Sequence, residues 1–212
     1  MKTAVLIDGA FLRKKFRRCY GRNIRSTEVE LFVKSLMLFL QITQDGYRVY
    51  FYDCRPCEGE TLFPVSRKRY LFEKQPQFAE GNLLLDEISN LDFFAVREGL
   101  LQFSGWSLRK KSYGKSPPYA DEDYSPNLSQ KGVDIKIGLD IAWISYKKTF
   151  EKLILVTADS DFIPAIKVAR RCGIPVYLFT LGHRVNSGLL KNADVAKRET
   201  LEEIIRPHDL AT

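Results

Sequence analysis

Along the chain, apolar positions switch between the continuous runs of buried strands and the spaced pattern of helices, and the two signals alternate. Thr3 to Ile7 is an unbroken run of strand formers, as expected of a strand covered on both faces. Leu31, Leu36, Leu38 and Leu40 predict a helix from about Thr27 to Thr43, with Ser26 or Thr27 ahead of Glu30 as its capping signal. Asp45-Gly46 predicts a turn into a strand over 47–52. The stretch 54–90 reads as helical with loops, broken at Pro56, Pro64 and Pro76. Segments 93–97 and 100–109 flank Glu98-Gly99 and predict two strands, joined as a hairpin or a bulged extension. Residues 110–130, with Pro117, Pro118, Pro126 and Gly114, predict a long flexible loop.

The last third is the plainest. It predicts a helix over 133–146, a buried strand over 153–157 and a helix over 162–172 stopped by Gly173. A strand over 174–179 follows, then short elements near 187–191, 195 and 200–205. Repeated strand–helix–strand units imply a Rossmann-like α/β/α sandwich, with a mainly parallel central sheet between two helical layers.

The length of 212 residues suits one domain over 1–212. The longest purely apolar run considered, Leu36 to Leu40, is far too short to cross a membrane. Only four apolar residues follow Met1-Lys2-Thr3, too few for a secretory signal, so the N-terminus reads as the start of a cytoplasmic protein. Cys19, Cys54, Cys57 and Cys172 are too few for a disulfide scaffold. The pair Cys54-Arg55-Pro56-Cys57 lacks a second set of soft ligands, since His183 and His208 do not supply the spacing, and both thiols read as structural.

Charge changes the picture more. With 33 basic and 26 acidic residues, the net charge of +7 favours a polyanionic partner. The cations fall into three groups: Arg13, Lys14, Lys15, Arg17, Arg18, Arg22 and Arg25; Arg67, Lys68, Arg69 and Lys74; Arg109, Lys110, Lys111 and Lys115. Tyr20, Tyr70 and Tyr113 lie among them, a mixture that suits phosphate contacts with base stacking. Three solvated faces that never meet in space would give the same pattern.

The candidate chemistry is acidic. In an open parallel sheet, ligands bind beyond the carboxyl ends of the strands, and two strands here run straight into acids: Asp8-Gly9 after the first, and Ala158-Asp159-Ser160-Asp161 after the 153–157 strand. Helix capping is the plainer role for Asp159 and Asp161. On the helix between them, Val133, Ile137, Ile141 and Ile144 form one buried stripe, with Asp140 beside it and Asp134 on its other flank. A carboxylate at such a position needs a cation, a donor network or a raised pKa. With several acids near and no matching arginine motif, a divalent cation is the economical expectation. Oxygen donors suit Mg²⁺ or Mn²⁺, which would activate water for in-line attack on a phosphodiester.

Three segments together resemble the NYN domain family of PIN-like, FLAP-nuclease-like ribonucleases: Asp8-Gly9, Gln130-Lys131-Gly132-Val133-Asp134 through Gly138-Leu139-Asp140-Ile141-Ala142, and Val156-Thr157-Ala158-Asp159-Ser160-Asp161-Phe162. Tyr52-Asp53, Ser125-Pro126-Asn127, Gly173-Ile174-Pro175-Val176 and Leu181-Gly182-His183 are similar to its bacterial LabA-like branch. The resemblance implies a PIN-type fold, Mg²⁺ or Mn²⁺ at an acidic cluster, and RNA as substrate. It marks Asp8, Asp134, Asp140, Asp159 and Asp161 as the catalytic set, with Asp8, Asp140 and Asp159 as metal ligands. Lys131, Ser160, Arg13, Lys14, Arg17, Arg109, Lys110 and Lys111 are the corresponding RNA-contact candidates. A homodimer is left open. Many PIN-like chains have Asn three residues after the first Asp, where this chain has Phe11. That departure keeps a weakly active or inactive RNA-binding regulatory module as the alternative. Asp53 reads as a turn acid, and Ala10 argues against a phosphatase of the haloacid dehalogenase type, which needs an acid there.

Overall fold

In a computed structural model, residues 2–42 and 46–205 are described. Seven strands form the central sheet in the order β6-β5-β2-β1-β7-β8-β9. These are β1 (Thr3–Asp8), β2 (Tyr47–Cys54), β5 (Phe94–Leu108), β6 (Tyr124–Lys131), β7 (Lys152–Val156), β8 (Val176–Phe179) and β9 (Val195–Lys197). A separate antiparallel hairpin joins β3 (Glu60–Leu62) to β4 (Arg69–Leu71). The helices are α1 (Gly9–Tyr20), α2 (Ser26–Phe39), α3 (Pro76–Ser89), α4 (Val133–Lys147), α5 (Ile163–Arg171), α6 (Ser187–Asn192) and α7 (Leu201–Ile204).

Strand alternation divides the core between two layers. Val5, Ile7, Val49, Phe51, Ile154 and Val156 pack with Leu12, Phe16, Phe32, Leu85 and Leu201 from α1, α2, α3 and α7. Ala4, Leu6, Tyr50, Tyr52, Leu153 and Leu155 pack with Ile137, Ile141, Ile166 and Leu189 from α4, α5 and α6. Both faces of β1, β2 and β7 are therefore covered, which is why their sequences run apolar without a break. Every pairing in the sheet is parallel except β5 with β6. The expected three-layer α/β/α arrangement is the observed one.

Several boundaries differ from the sequence expectation. Gly9–Tyr20 is a helix, although its cations suggested only a charged segment. Leu12 and Phe16 are fully buried on its inner side, Asp8 caps its start, and Gly21 closes it in the left-handed conformation. The two strands expected around Glu98-Gly99 are one continuous strand. Residues up to Gly99 pair with β2 and those from Leu100 pair with β6. Gly99 is there for close approach, not for a turn: a Cβ on it would stand 2.6 Å from Val133 Cγ2 and 2.8 Å from the Lys131 carbonyl.

The loop expected over 110–130 is confined to residues 109–123, because 124–131 form β6. Asp123 ties that segment down by accepting from Ser112 Oγ (2.7 Å), Lys115 Nζ (2.6 Å) and the Ala120 N–H (3.0 Å). The β3–β4 hairpin lies inside a stretch expected to be helical with loops. Phe63, Tyr70 and Phe72 hold it against Phe103 and Trp106 of β5, a long-range contact that local periodicity does not carry. The predicted turn at Asp45-Gly46 and the helix end at Thr43 fall at the edge of or outside the described residues.

Candidate active site

The chain enters the sheet at its centre, moves outward through β2 and β5, and returns to the other side of β1 with β7. The strand order thus reverses between β1 and β7, and the crevice at which open α/β sheets bind ligands is expected beyond the carboxyl ends of these two strands. Asp8 is the last residue of β1, and Asp159 follows β7 by two residues of loop.

One hydrogen-bonded chain links these strand ends. Asp8 Oδ1 accepts from the Phe11 N–H at 3.0 Å, and Asp8 Oδ2 accepts from Thr157 Oγ1 at 3.3 Å. Thr157, fully buried, accepts in turn from the Asp159 N–H at 3.2 Å, and Asp159 Oδ1 accepts from the Asp161 N–H at 2.9 Å. Thr157 therefore orients the Asp8 carboxylate and anchors the backbone of Asp159, a role the sequence reading did not assign to it. Asp134, in the first turn of α4, faces the same region. Burial raises its carboxyl above the ordinary range, and the charges of Asp159 and Asp161 add to that. Burial likewise pushes Asp8 up to about 6 against the lowering effect of its two donors, with Asp134 and Asp53 raising it further. Asp134 thus lies within reach of the charges of Asp8, Asp159 and Asp161.

Asp140 stands apart from them. Its Oδ2 accepts from the Tyr52 hydroxyl at 2.8 Å and pairs with Arg97 Nε at 3.2 Å. The expectation that no arginine serves this acid is corrected here: the cation is Arg97, near the start of β5. The Tyr52 phenol, pushed far up first by burial and then by the Asp140 charge, remains a donor throughout the working pH range.

Asp53 is the residue that sequence reasoning set aside. It ends β2 with a side chain only 1% exposed and lies close enough to raise the Asp8 pKa. Its Oδ1 accepts from Arg13 Nη2 (2.8 Å), the Cys54 N–H (2.8 Å) and Gln130 Nε2 (3.1 Å), while Oδ2 pairs with Arg13 Nε at 2.8 Å. Gly9 makes this packing possible, since a Cβ there would meet Tyr52 O at 2.7 Å and Asp53 Oδ2 at 2.8 Å. Phe11, where an amide was expected, turns its ring edge toward His183 with centroids 6.1 Å apart.

The remaining candidates divide by location. Arg13, Lys14 and Arg17 lie along α1 on a groove shared with α3, and Arg109 and Lys111 lie on a second groove beside β5 and β6. Lys131 ends β6, Ser160 follows Asp159, and Lys110 lies in the segment after β5; these three are exposed and line neither groove. Cys54 is buried and Cys57 half-buried, both as free thiols.

The donor set at the crevice is oxygen only, the chemistry of Mg²⁺ or Mn²⁺ rather than zinc. Among the described residues, no three acid, histidine or cysteine side chains converge on a point that would hold an ion. The fit is therefore to an ion held by one or two carboxylates with its other positions left to water, the usual mode for Mg²⁺. No described helix is long and apolar enough to cross a membrane.

A model of the NYN domain matches residues 82–197, more than half of the chain. The chain is similar to Uncharacterized protein MJ0482 of Methanocaldococcus jannaschii, at 22% identity over 139 residues. That region is 63% of this chain and 58% of that protein, so the match spans less than two thirds of the relative's length. Among solved structures, a protein of unknown function from Vibrio parahaemolyticus, VPA0982, aligns at a TM-score of 0.48 and 16% identity over 92% of this chain and 91% of that one. The chain belongs to the NYN domain family, a PIN-like nuclease family whose members generally use divalent metals.

Proposed function

We propose that the chain is a metal-dependent endoribonuclease that hydrolyses RNA phosphodiester bonds in the crevice between β1 and β7. The observation that carries this reading is the gathering of Asp8, Asp134, Asp159 and Asp161 at one edge of the sheet, joined in part through Thr157: the Asp134 charge adds to burial in raising Asp8, and Asp159 and Asp161 do the same to Asp134. Asp8, oriented by Thr157, and Asp159, oriented by the Asp161 N–H, would hold Mg²⁺ or Mn²⁺, with Asp134 as the third acid facing the ion. When bound, the ion supplies Lewis-acid polarisation of the phosphate and a lowered pKa for water. Asp161 is placed to orient water, and Ser160 and Lys131 to contact phosphate. Asp140 and Arg97 fix α4 against the sheet, which keeps Asp134 at the crevice. The LabA-like motifs support that branch of the family, and an RNA substrate suits a cytoplasmic protein.

Phe11 favours a second reading, an RNA-binding regulatory module with a slow or silent site. Its ring packs on His183, leaving no side-chain amide at that place. Cleavage of single-stranded and structured RNA in Mn²⁺, Mg²⁺ or chelator separates the two. The nuclease reading expects metal-dependent products from the wild type and none from Asp8→Asn or Asp159→Asn. Equal products from all three proteins would overturn the site. Metal-independent binding without products would favour the regulatory module.

A further inference from the structure

The three basic groups, far apart in the sequence, meet on one groove. Its walls are the β3–β4 hairpin, the start of α3 and the β5–β6 arm, and its volume is about 780 Å³. Arg13 comes from the first group, Lys68 from the second, and Arg109 and Lys111 from the third. Between these cations the wall is aromatic. Phe63 and Trp106 stack with centroids 5.4 Å apart and planes 23° from parallel, and Tyr70 meets Trp106 edge-on at 5.0 Å. The Trp106 indole N–H donates to the Leu62 carbonyl at 2.9 Å, which fixes the ring in the wall. Two acids also border the groove. Asp121 is turned into the wall, accepting from the Val65 and Ser66 N–H groups at 3.0 and 3.2 Å, and Glu122 is exposed.

A second groove, of about 880 Å³, adjoins the first. Arg13, Lys14, Arg17, Arg18, Arg22 and Arg25 outnumber Glu80 and Glu87 on its lining and leave it basic, and the two grooves share Arg13, Gln77 and Gly81. Arg13 is also the residue that clasps Asp53 beside Asp8. Aromatic wall, basic wall and acidic crevice are therefore joined at one guanidinium.

We propose that the two grooves form a track for a single strand of RNA with unpaired bases, leading past Arg13 to the acids. This inference rests on the ribonuclease reading and names the form of its substrate. A duplex turns its base faces inward, so an aromatic wall adds nothing to its binding. A single strand can place bases against the rings while its phosphates follow the cations. The charge is complementary to that strand and the aromatic lining selects it over a duplex.

The test is binding of fluorescein-labelled oligouridylate to the full chain in chelator, where no cleavage intervenes. Lys68→Gln with Lys111→Gln removes two exposed cations that hold nothing else in place among the described residues. The slope of log affinity against log salt should fall by about 1.4 and affinity at low salt by on the order of tenfold, while an RNA duplex loses less. Trp143→Phe leaves Trp106 as the sole tryptophan, and its emission should be quenched as oligouridylate saturates the protein. An unchanged salt slope, unquenched Trp106 emission at saturation, or a duplex bound equally well with the same losses would each overturn the track. If these results appear while the wild type still cleaves RNA through Asp8, the track alone falls. If binding behaves as expected while Asp8→Asn cleaves like the wild type, the catalytic reading alone falls.

Discussion

Replacing Asp8 by Asn removes one carboxylate from the crevice but keeps the helix cap, because an amide oxygen accepts the Phe11 N–H as a carboxylate does. In the wild type, burial first and neighbouring acids second lift this carboxyl from an ordinary 3.8 to about 6. A group with a raised pKa holds its proton more tightly in the folded state. Its contribution to stability is complete below the unfolded value and is lost as pH rises through the folded one. The interval from 3.8 to about 6 corresponds to about 3 kcal/mol at ~1.4 kcal/mol per pH unit. Asn cannot ionise, so Asp8→Asn should match the wild type near pH 3.5 to 4 and exceed it by roughly 2–3 kcal/mol at pH 8. Urea unfolding in chelator across that range measures the difference. A variant less stable than the wild type at pH 8, or a gain that does not change with pH, would refute the reasoning. Mg²⁺ should then close the gap, since binding at a hundredfold excess over Kd stabilises the wild type by about 2.7 kcal/mol and the variant by less.

Two further substitutions probe the neighbouring acids. Arg13→Met leaves Asp53 buried with only Gln130 and the Cys54 N–H, and should cost about 3 kcal/mol, the lower end of the range for a broken buried pair. Adding Asp53→Asn should recover part of that loss in urea unfolding, and strictly additive losses would contradict a coupled pair. Asp140→Asn keeps an acceptor for Tyr52 and gives up the ion pair with half-exposed Arg97, for about 1 kcal/mol or less. Its cleavage rate should stay within about twofold of the wild type, whereas a loss of two orders of magnitude or more would return Asp140 to the metal ligands.

The parts of the fold that were legible in the sequence are those whose signal is local. β1 and β7 are covered on both faces, so their apolar runs needed no partner to be read, and the acids that follow them came with the strands. Helix α1 was hidden by its own surface: five cations occupy Arg13 to Arg18, and the buried pair Leu12 and Phe16 is easily lost among them. β5 was split because Gly99 carries the chemistry of a turn while serving close packing against Val133. The hairpin at 60–71 and the strand at 124–131 exist through aromatic and ladder contacts with β5, and no local period announces such contacts. At the site, Asp53 and Thr157 were passed over for the same reason. Their roles depend on Arg13, 40 residues away from Asp53, and on Asp8, 149 residues away from Thr157.

Asp140, only half-buried, is compensated by protein groups, and its contrast with the other four has a physical cause. Asp8 caps α1, Asp134 lies in the first turn of α4, Asp159 caps the turn at Ser160–Phe162, and Asp161 lies within that turn. Each is set against the free N–H groups and positive end of a helical segment, worth about 0.3–1 kcal/mol apiece to a carboxylate. Helix starts that converge on one crevice can therefore support clustered negative charge before any cation binds, although burial still lifts Asp8 and Asp134. Asp140 sits in the middle of α4, where the backbone N–H groups are spent on the helix itself. It has no helix start to draw on, and its compensation has to come from side chains. Tyr52 and Arg97 supply it, which satisfies the acid locally without a cation from outside the protein.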